Sequence, residues 1–172
     1  MITTTGIQLA CFMVGPGQYA ADILQIKEII LCKKIVSVPR APDFMEGIIN
    51  LRGKIIPVID MHKRLDIPVS KNALQKKARI MIVSIDTREI GIIVDSVDDV
   101  ITVEKGDIDN RADLSSDLGT EYIQGVAKYD DEMIMILNIQ KLLTSKEKIS
   151  LGNINNIVKT KKAKKAPQGD QV

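Results

Sequence analysis

Residues 47–65 read GIINLRGKIIPVIDMHKRL, and 78 positions later residues 125–143 repeat the pattern without a gap as GVAKYDDEMIMILNIQKLL. Gly47 meets Gly125, Ile48 meets Val126, Val58 meets Ile136, Ile59 meets Leu137 and Lys63 meets Lys141. Two further stretches match at an offset of 71. Ile26-Lys27-Glu28-Ile29-Ile30 lies over Val97-Asp98-Asp99-Val100-Ile101, and Phe12 to Val14 lies over Val83 to Ile85. Two copies of so long a unit do not make a solenoid, which stacks about three or more repeats of 20–50 residues. The chain reads as two similar β-rich barrels with a cleft or seam between them.

The strands are short and rich in β-branched residues, at Gln8–Val14, Gln18–Ile23, Ile48–Asn50, Lys54–Ile59, Arg79–Ile85, Glu89–Val94, Val97–Val103, Tyr122–Tyr129 and Met133–Leu137. Gly15-Pro16-Gly17, Asp86-Thr87-Arg88 and Asp130-Asp131-Glu132 supply turns, each short enough for an antiparallel hairpin. Pro57 has no amide hydrogen to give a ladder, so its strand is expected at an edge or bulged there. Asn138 to Ser150 has helical spacing at Ile139, Leu142 and Leu143, with Asn138 placed as the cap. Residues 70–78 form a polar connector. Residues 106–120 form a second long loop, of a length that makes it a candidate binding element. The expected division is one domain over residues 1–158, with barrel subdomains at about 15–75 and 76–150 and an N-terminal strand that can be exchanged between them.

Composition supports two small cores. Of the 172 residues 45% are apolar but only 3% aromatic, with no Trp, so the interior must be built from Ile, Val, Leu and Met. No apolar run reaches the roughly 20 residues of a membrane helix, and Met1-Ile2-Thr3-Thr4-Thr5 lacks the basic start of a signal peptide. The reading is a cytoplasmic protein without direct membrane insertion. Cys11 and Cys32 show no CxxC spacing or clustered histidine, which points to free thiols. The net charge of +2 is unevenly spread: residues 159–172 hold five basic groups and one acidic, leaving −2 for residues 1–158. That Lys-rich tail has nothing to bury and is expected to be disordered.

Enzyme chemistry is hard to find. His62 is the sole histidine and has no nucleophile partner in a recognisable arrangement; a surface position on a short helix is the simpler reading. Neither GxxxxGK nor GxGxxG occurs. Asp95, Asp98 and Asp99 are close in sequence, but strand alternation sends Asp98 to the face opposite Asp95 and Asp99, so no metal cage is expected. The few aromatics, Phe12, Phe44, Tyr19, Tyr122 and Tyr129, argue against a base-stacking surface. No catalytic residue, cofactor or metal is assigned.

What stands out is Asn50-Leu51-Arg52-Gly53 inside an apolar stretch. The backbone is expected to bend at Gly53 and project Arg52 outward. In the second copy Asp130 takes the place of Arg52, which suggests a task specific to the first barrel, although drift would look the same.

These residues carry a resemblance. GIINLRGKIIPVIDMHKRL, with YAADILQIKEI before it and IGIIVDSVDDVI and EYIQGVAK…MIMILNIQKLL after it, is similar to the CheW family of bacterial chemotaxis coupling proteins, over about residues 7–150. The resemblance implies a mainly β fold: two intertwined SH3-like five-stranded barrels, with short helices including a C-terminal one. It implies no enzymatic activity. The implied role is an adaptor joining methyl-accepting chemotaxis receptors to the histidine kinase CheA through that kinase's CheW-like regulatory domain, in the cytoplasm at membrane-associated arrays. Carried over by position, Ile26, Glu28, Asn50, Leu51 and Arg52 would face the receptor in the groove between the barrels. Asp113 and Leu114 would belong to the kinase contact. His62 stands where the family commonly has an arginine. A different class of reading, a small-barrel nucleic-acid binder using the basic tail and residues 71–79, would show binding that falls steeply with salt.

Overall fold

A computed structural model of the chain describes residues 6–68, 77–109 and 122–153. The Lys-rich tail, most of the 70–78 connector and most of the 106–120 loop, with Asp113 and Leu114, lie outside the described residues. The strands are β1 (Gly6–Val14), β2 (Gly17–Asp22), β3 (Ile26–Leu31), β4 (Met45–Leu51), β5 (Lys54–Asp60), β6 (Arg79–Ile85), β7 (Arg88–Val94), β8 (Ser96–Glu104), β9 (Ile108–Asp109), β10 (Ile123–Tyr129) and β11 (Glu132–Leu137). The short helix α1 (Met61–Leu65) follows β5, and a second helix, α2, covers residues 145–153.

The strands form two sheets, ordered β8-β1-β2-β11-β10-β9 and β3-β6-β7-β5-β4. The chain crosses from the first sheet to the second at residues 23–25 and returns at Asp95, the one residue between β7 and β8. The offsets in the sequence are visible in the pairing. Phe12 pairs with Val97 as Val83 pairs with Ile26, and Gly47 pairs with Val58 as Gly125 pairs with Ile136. Even the bulges are duplicated: one at Ala10/Phe12 and again at Ile26/Glu28, another at Met45/Gly47 and again at Ile123/Gly125. The architecture is a duplicated SH3-like β fold.

All the expected strands form, Ile48–Asn50 extending to the full length of β4; β3 and β9 are additional. Pro57 is neither at an edge nor at a bulge, because β5 lies between β7 and β4. It is tolerated for a local reason. Opposite it, Ile48 spends its backbone N–H and C=O on Val36, both at 2.9 Å, so nothing on β4 needs a donor from residue 57. On the other side the parallel ladder with β7 begins only at Val58, whereas in the other sheet the corresponding β11–β2 ladder begins one position earlier, at Met135, the equivalent of Pro57.

The expected helix over 138–150 is broken in two. Asn138 Oδ1 accepts the Gln140 amide at 3.0 Å, but it caps only a single 3₁₀ turn, Ile139–Lys141. Thr144 then starts α2 with a capping box: its Oγ1 accepts the Glu147 amide at 3.1 Å, and Glu147 Oε1 accepts the Thr144 amide at 2.8 Å.

Burial explains the unbroken apolar runs. One face of β1, β2, β8, β10 and β11 fills the core of one barrel with Leu9, Cys11, Ala20, Ala127, Ile134 and Ile136. One face of β4, β5 and β6 fills the other with Ile49, Ile56, Val58, Ile80 and Ile82. The opposite faces meet in a third, larger layer shared by both barrels, where Phe12, Val14 and Leu137 pack with Ile59, Met81, Val83, Ile90 and Ile92. Strands buried on both sides have no polar face to alternate with. Cys11 and Cys32 are free thiols; burial, reinforced by Asp98, Asp99 and Glu132, pushes the Cys11 thiol up to about 11.

Candidate functional site

The hairpin joining β4 and β5 turns through Arg52 and Gly53, both at positive φ, +50° and +86°. A two-residue loop of this hand matches the right-handed twist of its strands. Asn50 Oδ1 accepts the Gly53 amide at 2.9 Å and holds the turn, while its own carbonyl accepts from Lys33 Nζ at 3.2 Å. Leu51 points into the barrel and is buried with Ile49 and Ile56. Arg52 projects into solvent, as the bend at Gly53 requires.

Glu28 comes to Arg52 from β3, at the bulge that interrupts the pairing between Ile26 and Glu28. Bulges re-aim side chains. Here the carboxylate meets the guanidinium fork in a bidentate pair, Nη2 to Oε2 at 2.6 Å and to Oε1 at 2.7 Å. Ile26, two residues earlier, is half-buried and packs on the shared layer between the barrels. The five residues therefore occupy different depths of one structure: Ile26 at the inter-barrel seam, Glu28 and Arg52 paired on the surface, Asn50 under the turn and Leu51 in the core. In the second barrel the equivalents of Glu28 and Arg52 are Asp99 and Asp130, two acids. That hairpin keeps the fold, with Asp130 and Asp131 at φ +49° and +61°, but it cannot make the pair.

His62 overturns the expectation of a surface histidine. It is 5% exposed, because α1 packs its first turn inward with Met61 beside it. Nε2 lies 2.7 Å from Asp95 Oδ1 and Nδ1 lies 3.2 Å from the Ile67 carbonyl oxygen. Asp95 does not share a strand face with Val97 and Asp99. It occupies the crossover between the sheets, where its amide donates to the Met13 carbonyl and its Oδ2 accepts the Gly15 amide at 2.7 Å. Nothing local in the sequence links residues 62 and 95. Near by, Arg64 reaches Glu147 of α2 at 2.7 Å and lies 5.9 and 6.0 Å from the ring centroids of Phe44 and Tyr122.

Among the described residues no group of His, Cys, Asp or Glu could hold a metal ion, and no helix is long and apolar enough to cross a membrane. Exposed apolar side chains stand outside both barrels, Ile29, Leu31 and Val36 on one and Val100, Met133 and Met135 on the other. Paired barrels that share one core and display apolar and charged side chains outward define a class: a scaffold that works by contact.

The chain belongs to the CheW-like domain family, whose family model matches residues 8–147. It is 34% identical over 149 residues to the chemotaxis protein CheW of Treponema pallidum, covering 86% of this chain and 88% of that one. It is 30% identical over 151 residues to the chemotaxis protein CheW of Klebsiella aerogenes, covering 88% and 90%. The crystal structure of the scaffolding protein TtCheW from Thermoanaerobacter tengcongensis superposes with a TM-score of 0.74 at 36% identity, covering 83% of this chain and 95% of that one. The protein is a non-catalytic chemotaxis adaptor.

Proposed function

We propose that the chain couples the cytoplasmic tips of methyl-accepting chemotaxis receptors to the histidine kinase CheA, in the cytoplasm at membrane-associated receptor arrays. A receptor helix lays one face along the inter-barrel groove against Ile26, and Arg52 with Glu28 fixes its register through charge. Asn50 and Leu51 serve that contact by setting the turn. The kinase binds through its own CheW-like regulatory domain, with Asp113 and Leu114 in the contact.

The observation that supports this reading is the Arg52–Glu28 pair. An exposed ion pair is worth roughly 0–1 kcal/mol, and a non-glycine residue at positive φ costs about 1 kcal/mol or more. The pair is thus a poor device for stability, and the sister barrel does without it. Its presence is better explained by what it displays.

Arg52→Glu sets two acids against each other and any acidic partner, so binding to a receptor tip is expected to weaken at least tenfold. Titration calorimetry against a purified receptor tip and a CheA regulatory-domain fragment checks this. Wild type should saturate with both, and the variant should lose the receptor alone. Receptor affinity unchanged in the variant would remove Arg52 from the site.

A further inference from the structure

We propose that His62 and Asp95 form a protonation-dependent latch that fixes the two barrels to each other. The latch gathers three segments that only the tertiary fold unites. His62 comes from α1, at the end of β5 in one sheet. Gly15 comes from the β1–β2 turn of the other. Asp95 is the single residue of the return crossover from β7 to β8, and its two carboxylate oxygens divide the work, Oδ1 facing His62 and Oδ2 taking the Gly15 amide. The barrels are thereby joined through one side chain.

The geometry itself names the protonation state. Nε2 faces a carboxylate and Nδ1 faces a carbonyl, and both of those groups can only accept. A neutral imidazole carries one N–H, so one ring nitrogen would point a lone pair at an oxygen. Only the imidazolium satisfies both. Asp60, which caps α1 by accepting the His62 amide at 2.9 Å, adds a second negative charge from the same element. The β1–β2 turn and Ile67 bring no charge. The cations next along α1 are engaged elsewhere, Lys63 with Glu46 and Arg64 with Glu147. Burial pushes the imidazole pKa down, but the hydrogen bond and charge of Asp95, the Ile67 carbonyl and the charge of Asp60 outweigh it, and the net direction is upward from 6.5.

The sign of the pH effect follows. In the unfolded chain the imidazole titrates near 6.5, so below that pH it is charged in both states and the latch contributes in full. As pH climbs through the higher folded-state value, the proton is lost and the contribution goes with it. The latch is tight in mildly acid solution and slack in alkaline.

Because His62 is the sole histidine, its imidazole resonances in an untagged, ¹³C-labelled chain can be followed by NMR from pH 5.5 to 9 without ambiguity. The expected midpoint lies above 6.5, with the Gly15 amide proton shifting at the same midpoint because it shares the Asp95 carboxylate. Asp95→Asn should lower the imidazole midpoint and abolish the matching movement at Gly15. His62→Gln should melt roughly 2–4 °C below wild type at pH 6, the gap closing at pH 9. A wild-type midpoint at or below 6.5, or a Gly15 amide that stays still while His62 titrates, overturns the latch. Both readings use the native chain, so failure of either variant to fold leaves the test intact.

Discussion

Gly47→Ala is expected to lower the melting temperature by about 6–12 °C, a loss of roughly 3 kcal/mol at 2–4 °C per kcal/mol for a chain of this size. A Cβ at residue 47 would stand against the Val36 carbonyl oxygen and the Ile35 side chain. The oxygen is backbone and cannot swing aside. It is also the acceptor of the Ile48 amide in the bridge between Val36 and β4, the counterpart of the β9–β10 pairing in the other barrel. To admit the methyl the bridge must open, giving up two hydrogen bonds worth about 1 kcal/mol each and the packing of Ile35 on the core. Gly53→Ala is the control. Gly53 sits at φ +86° with nothing within 4 Å of a Cβ, so only the backbone preference is paid, about 1 kcal/mol. Thermal unfolding of both variants separates close approach from turn geometry; equal losses would mean that the contact with Val36 does not govern position 47.

The duplication was legible because it is written in residue type at matched positions. Gly47 and Gly125 stand at the same bulge, and apolar Val58 and Ile136 at the same parallel pairing. A register repeated at fixed offset needs no tertiary knowledge. β3 was harder to see as a strand. Its half-buried side chains are Ile26, Glu28 and Ile30, while Ile29 and Leu31 face solvent, so hydrophobicity does not alternate with burial. Pro57 misled for a related reason. The rule against proline inside a sheet concerns its missing donor, and whether a donor is needed depends on where Ile48 sends its own groups, which only the Val36 bridge decides.

The site divides in the same way. That Arg52 would project at a turn followed from Gly53 and from the polar interruption around it. That Glu28 would meet it did not, since the two lie 24 residues apart and the meeting depends on a bulge in β3. The buried His62–Asp95 pair was invisible for a stronger reason. One partner lies on a helix with lysine and arginine beside it, which reads as a solvated surface. The other is a single residue between strands, where alternation gives no direction at all. A short polar residue at the exact passage from one apolar run to another, as in Val94-Asp95-Ser96, is the one signal that could have marked it.

Phe12→Ala carries the largest expected effect of a core truncation, about 3–5 kcal/mol for a buried phenylalanine, and its distribution over the molecule matters more than its size. Phe12 is 1% exposed and stacks on Tyr19 with ring centroids 6.1 Å apart. Its side chain does not enter the interior of its own barrel. That is lined by Leu9 and Cys11 on the alternate face of β1, whereas Phe12 lies in the layer shared with Met81, Val83 and Ile92 of the other sheet. A cavity there belongs to both barrels. Leu9→Ala, expected to cost about 2–5 kcal/mol, removes a comparable side chain from one barrel alone. Amide hydrogen exchange distinguishes the two. Phe12→Ala should speed exchange in β1 and in β6 and β7 together, while Leu9→Ala should act first on β1, β2 and β11. If Phe12→Ala left β6 and β7 as protected as in wild type, the barrels would be energetically separate despite their contact. A surface formed by both would then have no common core to keep it in register. Protection lost on both sides would mean that the shared layer is what makes two small barrels one scaffold.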